Sequence, residues 1–406
     1  MRIAQINMCS YGSTGNIMLN IAQTARKEGI EVNTYSMPMF SVPKNNEIPH
    51  EGHYYYGNYL ESLFSYFAGR ITSRNGYYSF LPTLRLILML RKFGPDIIHL
   101  HNLHGFNINL PLLFKYIRKN NLIVVWTFHD CWPFTGHCAH FQMSKCDKWK
   151  RCCMDCKCYS EYPRTQFDNS KRMFLSKKAM FTSLEKLYIV TPSKWLAGLV
   201  KQSFFKNYPV RVINNGVDLS VFKPRESDVR RRYNIFDRFI VLGVAFDWGI
   251  SKGIDIFIKL ALDLPSDYVV VLVGTNDEVD KILPSNIISI HRTSNPIELA
   301  EIYTAADVFV NPTREDTFPT VNIEALACGT PVATFETGGS PEIIDEHCGI
   351  SIKNQNYKEL KQAIIEIHNT NLFKETDCIN RARHFEKNDK FTEYVRFYNE
   401  LTKGAK

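Results

Sequence analysis

The sequence is short of the features that mark several classes of protein. It contains no run of eighteen apolar residues, so we expect no transmembrane helix. It contains no countable internal repeat and no low-complexity tract, which argues against a repeat protein. The N-terminal letters MRIAQINMCS lead straight into a strand and lack the charged and apolar regions of a signal peptide. We therefore expect a cytoplasmic location.

A concentration of charge is also missing. The chain has 49 Lys and Arg against 41 Asp and Glu, which gives a net charge of +8. This modest excess is compatible with nucleic acid, nucleotide phosphates or an anionic membrane surface as partner, and charge alone selects none of them. The 406 residues are enough for two domains with separate cores. No Gly/Ser-rich linker marks the junction, which we place near residues 195–215.

What the sequence does contain is the alternation of apolar strands and amphipathic helices that indicates the α/β class. The first strand, Arg2–Met8, is followed by Gly12-Ser13-Thr14-Gly15 and a helix, the order that opens a dinucleotide-type α/β domain. The glycines lack the GxGxxG spacing, so a nicotinamide cofactor is poorly supported. The loop at Gly12 and Gly15 suits a phosphate, and it suits a plain tight turn equally well.

A longer motif lies between residues 311 and 342, with the letters NPTREDTFPTVNIEALACGTPVATFETGGSPE. It predicts a strand end, a loop, a short helix at Ile323–Ala327, a strand at Val332–Phe335 and a second Gly-rich loop. Asp316 and Glu324 are eight residues apart and bracket the first loop and the helix start. Backbone N–H groups at a helix start suit a phosphate, and an ionised carboxylate can accept two sugar hydroxyls. The stretch predicts a pocket for a nucleotide-sugar.

This stretch resembles the donor-binding motif of the family 4 retaining glycosyltransferases, which have the GT-B fold. The letters EALACGTPV match the family pattern closely, and Phe318 stands where the family has Phe. The first acid is Asp316, with Glu315 beside it, where the family has Glu. The resemblance assigns the second acid, Glu324, to the ribose. It implies an α/β protein of two Rossmann-like α/β/α domains that face each other across a cleft holding the active site.

The resemblance covers most of the chain and implies a role for each domain. Residues 1–200 are expected to bind the acceptor and residues 201–387 the nucleotide-sugar, and a final helix at about 388–406 is expected to pack back on the first domain. In similar enzymes the loop at Gly12 and Gly15 faces the donor phosphates. The donor-binding residues implied in this way are Gly12, Gly15, Lys252, Asp316, Thr317, Phe318, Pro319, Thr320 and Glu324.

Two further motifs supply residues expected to act on the sugar. Lys252-Gly253 follows the apolar strand Phe239–Val244 and matches the family's Lys-Gly, whose lysine meets the donor diphosphate. No Arg lies between that strand and Lys252, so Lys252 carries the phosphate charge alone or together with helix N-termini. His129-Asp130 ends a strand predicted at Leu122–Phe128, where the family has a His-Asp pair that reaches the acceptor and the donor sugar. The catalytic residues implied are His129, Asp130, Lys252 and Asp316.

The histidines leave alternatives open. His129 can donate to a sugar hydroxyl or a phosphate oxygen, and Asp130 can fix its tautomer or take the acceptor proton. Alternatively, His129 only caps the strand. His99, His101 and His104 follow an earlier strand, Ile97–Leu100, and either one of them lines the acceptor cleft or all three are structural.

Seven of the eleven cysteines lie between residues 131 and 158. Cys153 and Cys156 have the CxxC spacing of a zinc knuckle, and Cys138 and Cys146 can complete four thiolates, with His137 and His140 as substitutes. In a reducing compartment such clustering favours a structural zinc, and free thiols in a loop are the alternative. The stretch also resembles an insertion in a bacterial branch of the family that is active on capsule and O-antigen-like polysaccharides. The metal ligands predicted are Cys138, Cys146, Cys153 and Cys156.

A basic segment with apolar residues lies at Asn169–Lys186, which we predict to be helical. Its Met173, Phe174 and Leu175 among lysines suit a face that lies on an anionic membrane, where a lipid-linked acceptor waits. The alternative is a solvated helix. Residues 41–80 are aromatic and rich in turn formers, and they show no clear periodicity.

The resemblance implies a retaining hexosyltransferase that moves a hexose from a UDP-sugar or GDP-sugar to a growing, lipid-linked surface glycan, with the leaving phosphate taking the acceptor proton. No Asp-x-Asp motif ends a suitable strand, so no catalytic metal is expected. A GT-B sugar-nucleotide epimerase or phosphorylase is the alternative, and it would need no glycan acceptor. A zinc-stapled nucleic-acid-binding protein is a remote alternative, and no nucleic acid partner is expected.

Overall fold

The computed structural model describes residues 1–38 and 50–403 of the chain. It divides into two compact units, one of Met1–Ile213 with Lys390–Lys406 and one of Asn214–Asp389. Part of the 41–80 segment and the last three residues of the predicted terminal helix lie outside the described residues. Within the described ranges no helix combines the length and the apolar character that crossing a membrane requires.

Among the described residues, seven strands of the first unit form one parallel sheet in the order β3-β2-β1-β4-β5-β6-β7. The strands are β1 (Arg2–Ile6), β2 (Glu31–Ser36), β3 (His53–Tyr55), β4 (Ile97–Leu100), β5 (Ile123–Thr127), β6 (Leu187–Thr191) and β7 (Val210–Val212). The sheet grows outwards in both directions from the β1–β4 pair, where Ile3 lies opposite Ile97. This reversal of strand order is the topological switch point of a Rossmann-like sheet, and ligands bind at its carboxyl edge.

Helices cover the first sheet because parallel strands must be buried on both faces. They are α1 (Gly12–Lys27), α2 (Tyr59–Thr72), α3 (Phe80–Phe93), α4 (Leu110–Lys119), α5 (Ser170–Phe181) and α6 (Lys194–Val200), joined by α15 (Lys387–Lys403) from the end of the chain. Helix α15 packs with α1 over one face, where Tyr394 and Tyr398 are buried against Val125 and Ile21. Two 3-10 turns, Trp132–Phe134 and Lys148–Lys150, lie in the cysteine-rich segment.

In the second unit, six strands among the described residues form a parallel sheet in the order β10-β9-β8-β11-β12-β13. They are β8 (Phe239–Val244), β9 (Tyr268–Val273), β10 (Ile287–Ile290), β11 (Val308–Asn311), β12 (Val332–Phe335) and β13 (Gly349–Ile352). The switch point lies between β8 and β11, where Val241 is opposite Val308. The loops that follow these two strands therefore meet at the carboxyl edge of the sheet.

The helices of the second unit flank this sheet, and two apolar cores lie on its two faces. They are α7 (Val229–Arg232), α8 (Ile254–Asp263), α9 (Asp277–Asp280), α10 (Pro296–Ala305), α11 (Thr320–Ala327), α12 (Ser340–Ile343), α13 (Tyr357–Thr370) and α14 (Glu375–Ala382). The 3-10 turns are Ile250–Lys252, Lys353–Gln355 and Arg383–Phe385. The two parallel sheets, each flanked by helices, confirm the predicted α/β class and the two Rossmann-like folds.

The sequence predicts the start of α6 correctly and the end of α5 wrongly. Ser193 Oγ accepts the backbone N–H of Leu196 at 3.2 Å, so Ser193 caps α6 as its hydroxyl predicts. The predicted helix at Asn169–Lys186 is too long, since α5 ends at Phe181. Leu184 lies beyond that end and is buried in the core, so the apolar pattern continues past the helix.

Candidate functional site

The second unit brings together a basic and an acidic residue that are both predicted to contact the donor, Lys252 and Asp316. Lys252 ends the 3-10 turn after β8, and Asp316 lies in the loop after β11. Lys252 Nζ lies 2.9 Å from Asp316 Oδ2, with 35% and 23% of the two side chains exposed. Because β8 and β11 are neighbours at the switch point, residues 64 apart in sequence form one ion pair.

Backbone contacts fix both partners of this ion pair. Asp316 Oδ1 accepts the N–H groups of Thr317 at 2.9 Å and Phe318 at 3.2 Å. Behind Lys252, Gly253 has φ +78°, and a Cβ there would lie 2.6 Å from the Pro312 ring. The close approach of the two loops therefore requires a glycine at position 253.

The second Gly-rich loop of the motif packs directly on the Asp316 loop. Gly338 has φ +58°, and a Cβ at this position would lie 1.9 Å from the Asp316 carbonyl oxygen. Gly339 N–H donates to the Thr317 carbonyl at 3.1 Å. The loops after β11 and β12 thus form one continuous edge of the candidate pocket.

Glu324 lies inside α11, one turn after Thr320, on the side of the helix that faces Tyr303. Tyr303 Oη donates to Glu324 Oε2 at 3.2 Å. Burial raises the pKa of the Glu324 carboxyl to about 7, and hydrogen bonds from Tyr303 and Thr320 oppose that rise. A carboxyl with a pKa near neutrality is typical of functional sites, and it changes its ability to accept hydroxyls over the physiological range. Pro319 precedes the first turn of α11, and Phe318 is buried in the core below it.

Arg314 is a cation at this edge that sequence reasoning missed. Its guanidinium binds Asp255 in two bonds of 2.7 Å and 2.8 Å, and its backbone N–H donates to the Ser251 carbonyl at 2.7 Å. Arg314 therefore ties the Lys252 turn to the Asp316 loop from below. Arg314 follows β11 and not β8, so only the strand order brings it close to Lys252.

A cavity of 740 Å³ lies at the opposite edge of the second sheet, by the amino ends of β8, β11 and β12. Arg230, Asp307 and His368 are among its lining residues. It holds none of the predicted site residues. Ligands of parallel α/β sheets bind at the carboxyl ends of strands, so the Lys252 edge is the better candidate site.

In the first unit, Asp130 is held in a buried network after β5. Its Oδ2 lies 2.8 Å from His104 Nε2, and its Oδ1 accepts the Trp132 N–H at 2.8 Å. Tyr162, from the cysteine-rich segment, places its hydroxyl 3.1 Å from His104 Nδ1. Burial raises the pKa of the Asp130 carboxyl, but His104 and the Trp132 N–H outweigh burial and lower this pKa below its ordinary value. Asp130 is therefore an ionised carboxylate.

His129 is buried beside Asp130 and belongs to a second chain of hydrogen bonds. Its Nε2 lies 3.0 Å from His101 Nδ1, and His101 Nε2 lies 3.1 Å from Gln5 Oε1. Burial lowers the pKa of His129 to about 4, although Asp130 opposes that shift. This low pKa makes His129 a neutral imidazole, and its Nε2 shares one proton with Nδ1 of His101.

The three earlier histidines are all buried, and their contacts favour the structural interpretation. His99 Nδ1 lies 2.6 Å from the hydroxyl of Tyr398 on α15, and His99 Nε2 lies 2.8 Å from Thr127 Oγ1. His101 and His104 orient His129 and Asp130, as described above. They act on the candidate site through these two residues.

The glycines after β1 have structural reasons of their own. Gly12 begins α1 with φ +69°. A Cβ at Gly15 would lie 2.6 Å from the backbone carbon of Ser10, so the helix packs directly on the turn. The tight-turn interpretation explains both residues, and contact with a phosphate stays a prediction.

The cysteine-rich segment gathers its thiols around a cavity of 290 Å³. All eleven cysteines of the chain are free thiols. Cys138 Sγ lies 3.8 Å from Cys156 Sγ. The cysteines that line the cavity are Cys138, Cys146, Cys153, Cys156 and Cys158.

The apolar residues of α5 do not form an exposed face. Met173, Phe174 and Phe181 are buried in the core, while Leu175 is 50% exposed. A different apolar surface lies on α2, where Leu60, Phe64, Phe67 and Ile71 are 77%, 65%, 52% and 54% exposed. Their spacing of four, three and four residues places them on one face of the helix.

Comparison with known proteins shows which family models match the chain. The model of Glycosyltransferase Family 4 matches residues 14–221, and that of Glycosyl transferases group 1 matches residues 227–385. The putative colanic acid biosynthesis glycosyl transferase WcaC of Escherichia coli (strain K12) is 22% identical over 307 residues, which is 72% of each chain.

Solved structures share the fold over the whole chain. Sucrose-phosphate synthase from Thermosynechococcus elongatus has a TM-score of 0.72 and 20% identity, and the match covers 99% of each chain. Anabaena HepE in complex with UDP has a TM-score of 0.69 and 14% identity, covering 98% of this chain and 100% of HepE. The first family model spans just over half of the sequence. The chain therefore belongs to Glycosyltransferase Family 4, and it is a glycosyltransferase with the GT-B fold.

Proposed function

We propose that the protein is a retaining hexosyltransferase that takes its sugar from a nucleoside diphosphate, UDP- or GDP-linked, and extends a lipid-linked surface polysaccharide of the capsule or O-antigen kind. The observation that carries this proposal is the Lys252–Asp316 ion pair of 2.9 Å at the switch point of the second sheet, in the loop that leads into the helix of Glu324. The names of two similar proteins support it, since HepE was crystallised with UDP and WcaC is assigned to colanic acid biosynthesis.

Each side chain of this site has a chemical role in the proposal. The Lys252 ammonium is a compact charge that neutralises the diphosphate as the sugar leaves. Glu324 accepts the ribose hydroxyls when ionised, and Asp316 accepts hydroxyls of the donor sugar. The start of α11, with Thr317, Pro319 and Thr320 before and at its first turn, offers backbone N–H groups to a phosphate. The proposal keeps Gly12 and Gly15 as phosphate contacts.

His129 and Asp130 serve the acceptor in this proposal. A neutral imidazole at His129 can form a hydrogen bond with a sugar hydroxyl, and ionised Asp130 can hold the hydroxyl that attacks. Retention follows from attack on the face from which the phosphate leaves, with that phosphate taking the acceptor proton. The protein then contributes charge stabilisation and alignment of the two sugars.

A lipid-linked acceptor places the enzyme at a membrane, and the α2 face supports that placement better than α5. The exposed Leu60, Phe64, Phe67 and Ile71 form an apolar stripe. Residues 59–93, which include α2 and α3, carry five Lys or Arg and one acid, Glu61. An apolar stripe with a basic surround fits the surface of an anionic bilayer. We propose the cytoplasmic face of the membrane as the working location.

A transfer assay tests the proposed function. Radiolabelled UDP-hexoses and GDP-hexoses are offered singly with a lipid-linked glycan extract, and label in the lipid fraction is counted. The expected result is acceptor-dependent transfer from one nucleotide class. NMR of the product should show the same anomeric configuration as in the donor. Turnover of the donor to a new sugar-nucleotide or a sugar phosphate without acceptor would instead establish the epimerase or phosphorylase alternative.

A further inference from the structure

The cysteine-rich segment encloses a small site that the proposed transfer reaction does not use. Its cavity of 290 Å³ lies between the chain after β5 and the start of α5, with Ser170 in its wall. Five thiols line it, and such a concentration of soft ligands suits Zn²⁺.

The distance between two of these thiols fits a tetrahedral metal site. With Zn–S bonds of about 2.3 Å, neighbouring sulfurs of a tetrahedron lie about 3.8 Å apart. Cys138 Sγ and Cys156 Sγ are separated by 3.8 Å. Among the described residues no three cysteine sulfurs lie within 4.8 Å of one another, so a metal site here requires the other thiols to turn inwards toward this pair.

The Cys153 thiol lies in a backbone cradle that would stabilise its thiolate, although burial without a metal raises the pKa of this thiol to about 12. Its sulfur accepts the Gly136 N–H at 3.1 Å, and hydrogen bonds to the charged form stabilise that form. A Cβ on Gly136 would lie 2.7 Å from the Cys153 Cβ and 2.4 Å from the Ser170 carbonyl oxygen. Only glycine allows this approach, so the N–H···S contact is built into the fold.

A buried cation lies next to the thiols. Lys177 on α5 is fully buried, its Nζ donates to the Trp132 carbonyl at 2.5 Å, and Nζ lies 3.8 Å from the centre of the Trp132 ring. Burial lowers the pKa of Lys177 to about 7, and negative charge on Cys153, Asp130 or Cys138 acts in the opposite direction. A buried lysine keeps its charge only when negative charge lies beside it. Four thiolates around one Zn²⁺ carry a net negative charge, and protonated thiols carry none.

We propose that Cys138, Cys146, Cys153 and Cys156 bind one Zn²⁺ as thiolates and that Lys177 is the buried counter-charge of this site. Binding releases the thiol protons to solvent, because only the thiolate ligates the metal. The site braces the loop at Asp130, since Lys177 holds the carbonyl of Trp132 and Trp132 holds Asp130 through its N–H. Only this effect on Asp130 rests on the proposed function.

Metal analysis of the full-length protein, purified under reducing conditions, tests the site independently of any sugar donor. We expect one equivalent of zinc in the wild type and loss of zinc in Cys138→Ser and Cys153→Ser. The matched control is Cys152→Ser, because the Cys152 thiol lies 3.6 Å from the Cys153 carbonyl and does not line the cavity. Equal loss of zinc in Cys152→Ser would overturn the proposal, and loss in Cys158→Ser with retention in Cys146→Ser would overturn the ligand set.

A titration of the metal-stripped wild type with Co²⁺ keeps the proposal testable if a cysteine variant fails to fold. Sulfur ligation gives thiolate-to-cobalt charge-transfer absorption, which we expect to saturate at one equivalent. If the purified chain contained no zinc and the titration gave no such absorption, the proposal would be overturned.

Replacement of the lysine tests the counter-charge. We expect Lys177→Met to fold and to release zinc to a competing chelator at a lower chelator concentration than the wild type. The control is Lys178→Met, at an exposed neighbouring position of α5. Equal retention of zinc in the two variants would contradict the role of Lys177.

Discussion

The Nζ atom of Lys252 and the Oδ2 atom of Asp316 lie 2.9 Å apart at the carboxyl edge of the second sheet. Two neighbouring strands deliver them, β8 through the turn that ends at Lys252 and β11 through the loop of Asp316. The pair is partly exposed, so its contribution to stability is small, below about 1 kcal/mol. Its position at the carboxyl edge, where ligands of parallel sheets bind, therefore favours a role in binding charge rather than in stability.

Replacement of Lys252 by Ala should separate activity from stability. Loss of one positive group that stabilises developing phosphate charge costs about 100-fold or more in kcat. The free energy of unfolding should change by less than about 1 kcal/mol, because the ion pair is exposed to solvent. Steady-state kinetics and urea unfolding give the two quantities. Lys259→Ala, at an exposed position of α8, is the control, and activity of Lys252→Ala equal to this control would contradict the assignment.

Glu324 should make donor binding depend on pH. Its carboxyl accepts ribose hydroxyls best when ionised, and burial raises its pKa to about 7. Donor affinity in the wild type should therefore rise from pH 6 to pH 8, and in Glu324→Gln it should be weaker and flat. Calorimetric titration at pH 6, 7 and 8 measures the donor affinity on both sides of the pKa that burial has raised. The same pH slope in both proteins would show that another group titrates.

The same carboxyl should affect stability with the opposite sign. The pKa of Glu324 is raised from 4.5 to about 7 on folding, so the folded state binds the proton more tightly than the unfolded state. Its contribution is most favourable below pH 4.5 and is lost as pH rises through 7. The melting temperature of Glu324→Gln minus that of the wild type should therefore be more positive at pH 8 than at pH 5. A difference between the two proteins that is independent of pH would contradict this.

Removal of His104 should destabilise the first unit. His104→Phe leaves the buried Asp130 Oδ2 without its 2.8 Å partner, and an unsatisfied buried charge costs about 2 kcal/mol or more. Tyr162→Phe is the matched variant, because it removes only the hydroxyl 3.1 Å from the other His104 nitrogen and should cost about 1 kcal/mol. Urea unfolding measures both. A His104→Phe protein as stable as the wild type would show that Asp130 does not depend on this contact.

The α2 stripe should decide membrane binding. Phe64→Glu with Phe67→Glu removes two apolar side chains, each worth about 1.5 kcal/mol or more when buried, so affinity for anionic vesicles should fall at least tenfold. The melting temperature should stay unchanged, since the two side chains are 65% and 52% exposed. Leu262→Glu, at a 68% exposed position of α8, is the control. Co-sedimentation with phosphatidylserine vesicles measures binding, and equal binding of both variants would contradict the surface.

Much of the fold was predictable because central strands of parallel sheets are continuous apolar runs. Ile97–Leu100, Phe239–Val244 and Val332–Phe335 are strands with the predicted bounds. The α2 helix escaped prediction because its apolar residues are exposed, so no buried face produced a periodic pattern. Its capping box, in which the Asn58 side chain accepts the Glu61 N–H at 3.0 Å, was the available signal.

The candidate site was predictable where a motif carried it and not where it depends on strand order. Asp316, Lys252 and Glu324 follow from local motifs, and their proximity follows from the fold. The Arg314–Asp255 bridge and the His104–Asp130 contact join distant segments, so no local pattern reports them. The thiols around Cys138 and Cys156 were predictable as a set from spacing, whereas the buried Lys177 beside them was not.

A thermal-shift measurement tests the central claim, a nucleotide-sugar site at Lys252 and Glu324, most directly. The wild type, Lys252→Ala and Glu324→Ala are melted with UDP, GDP and their hexose conjugates. A ligand at a hundred times its Kd stabilises the folded state by about 2.7 kcal/mol, which raises the melting temperature on the order of 5 °C. We predict such a shift with one nucleotide class in the wild type and its loss in both variants. No shift with any nucleotide, or an equal shift in all three proteins, would contradict the assignment of the donor site.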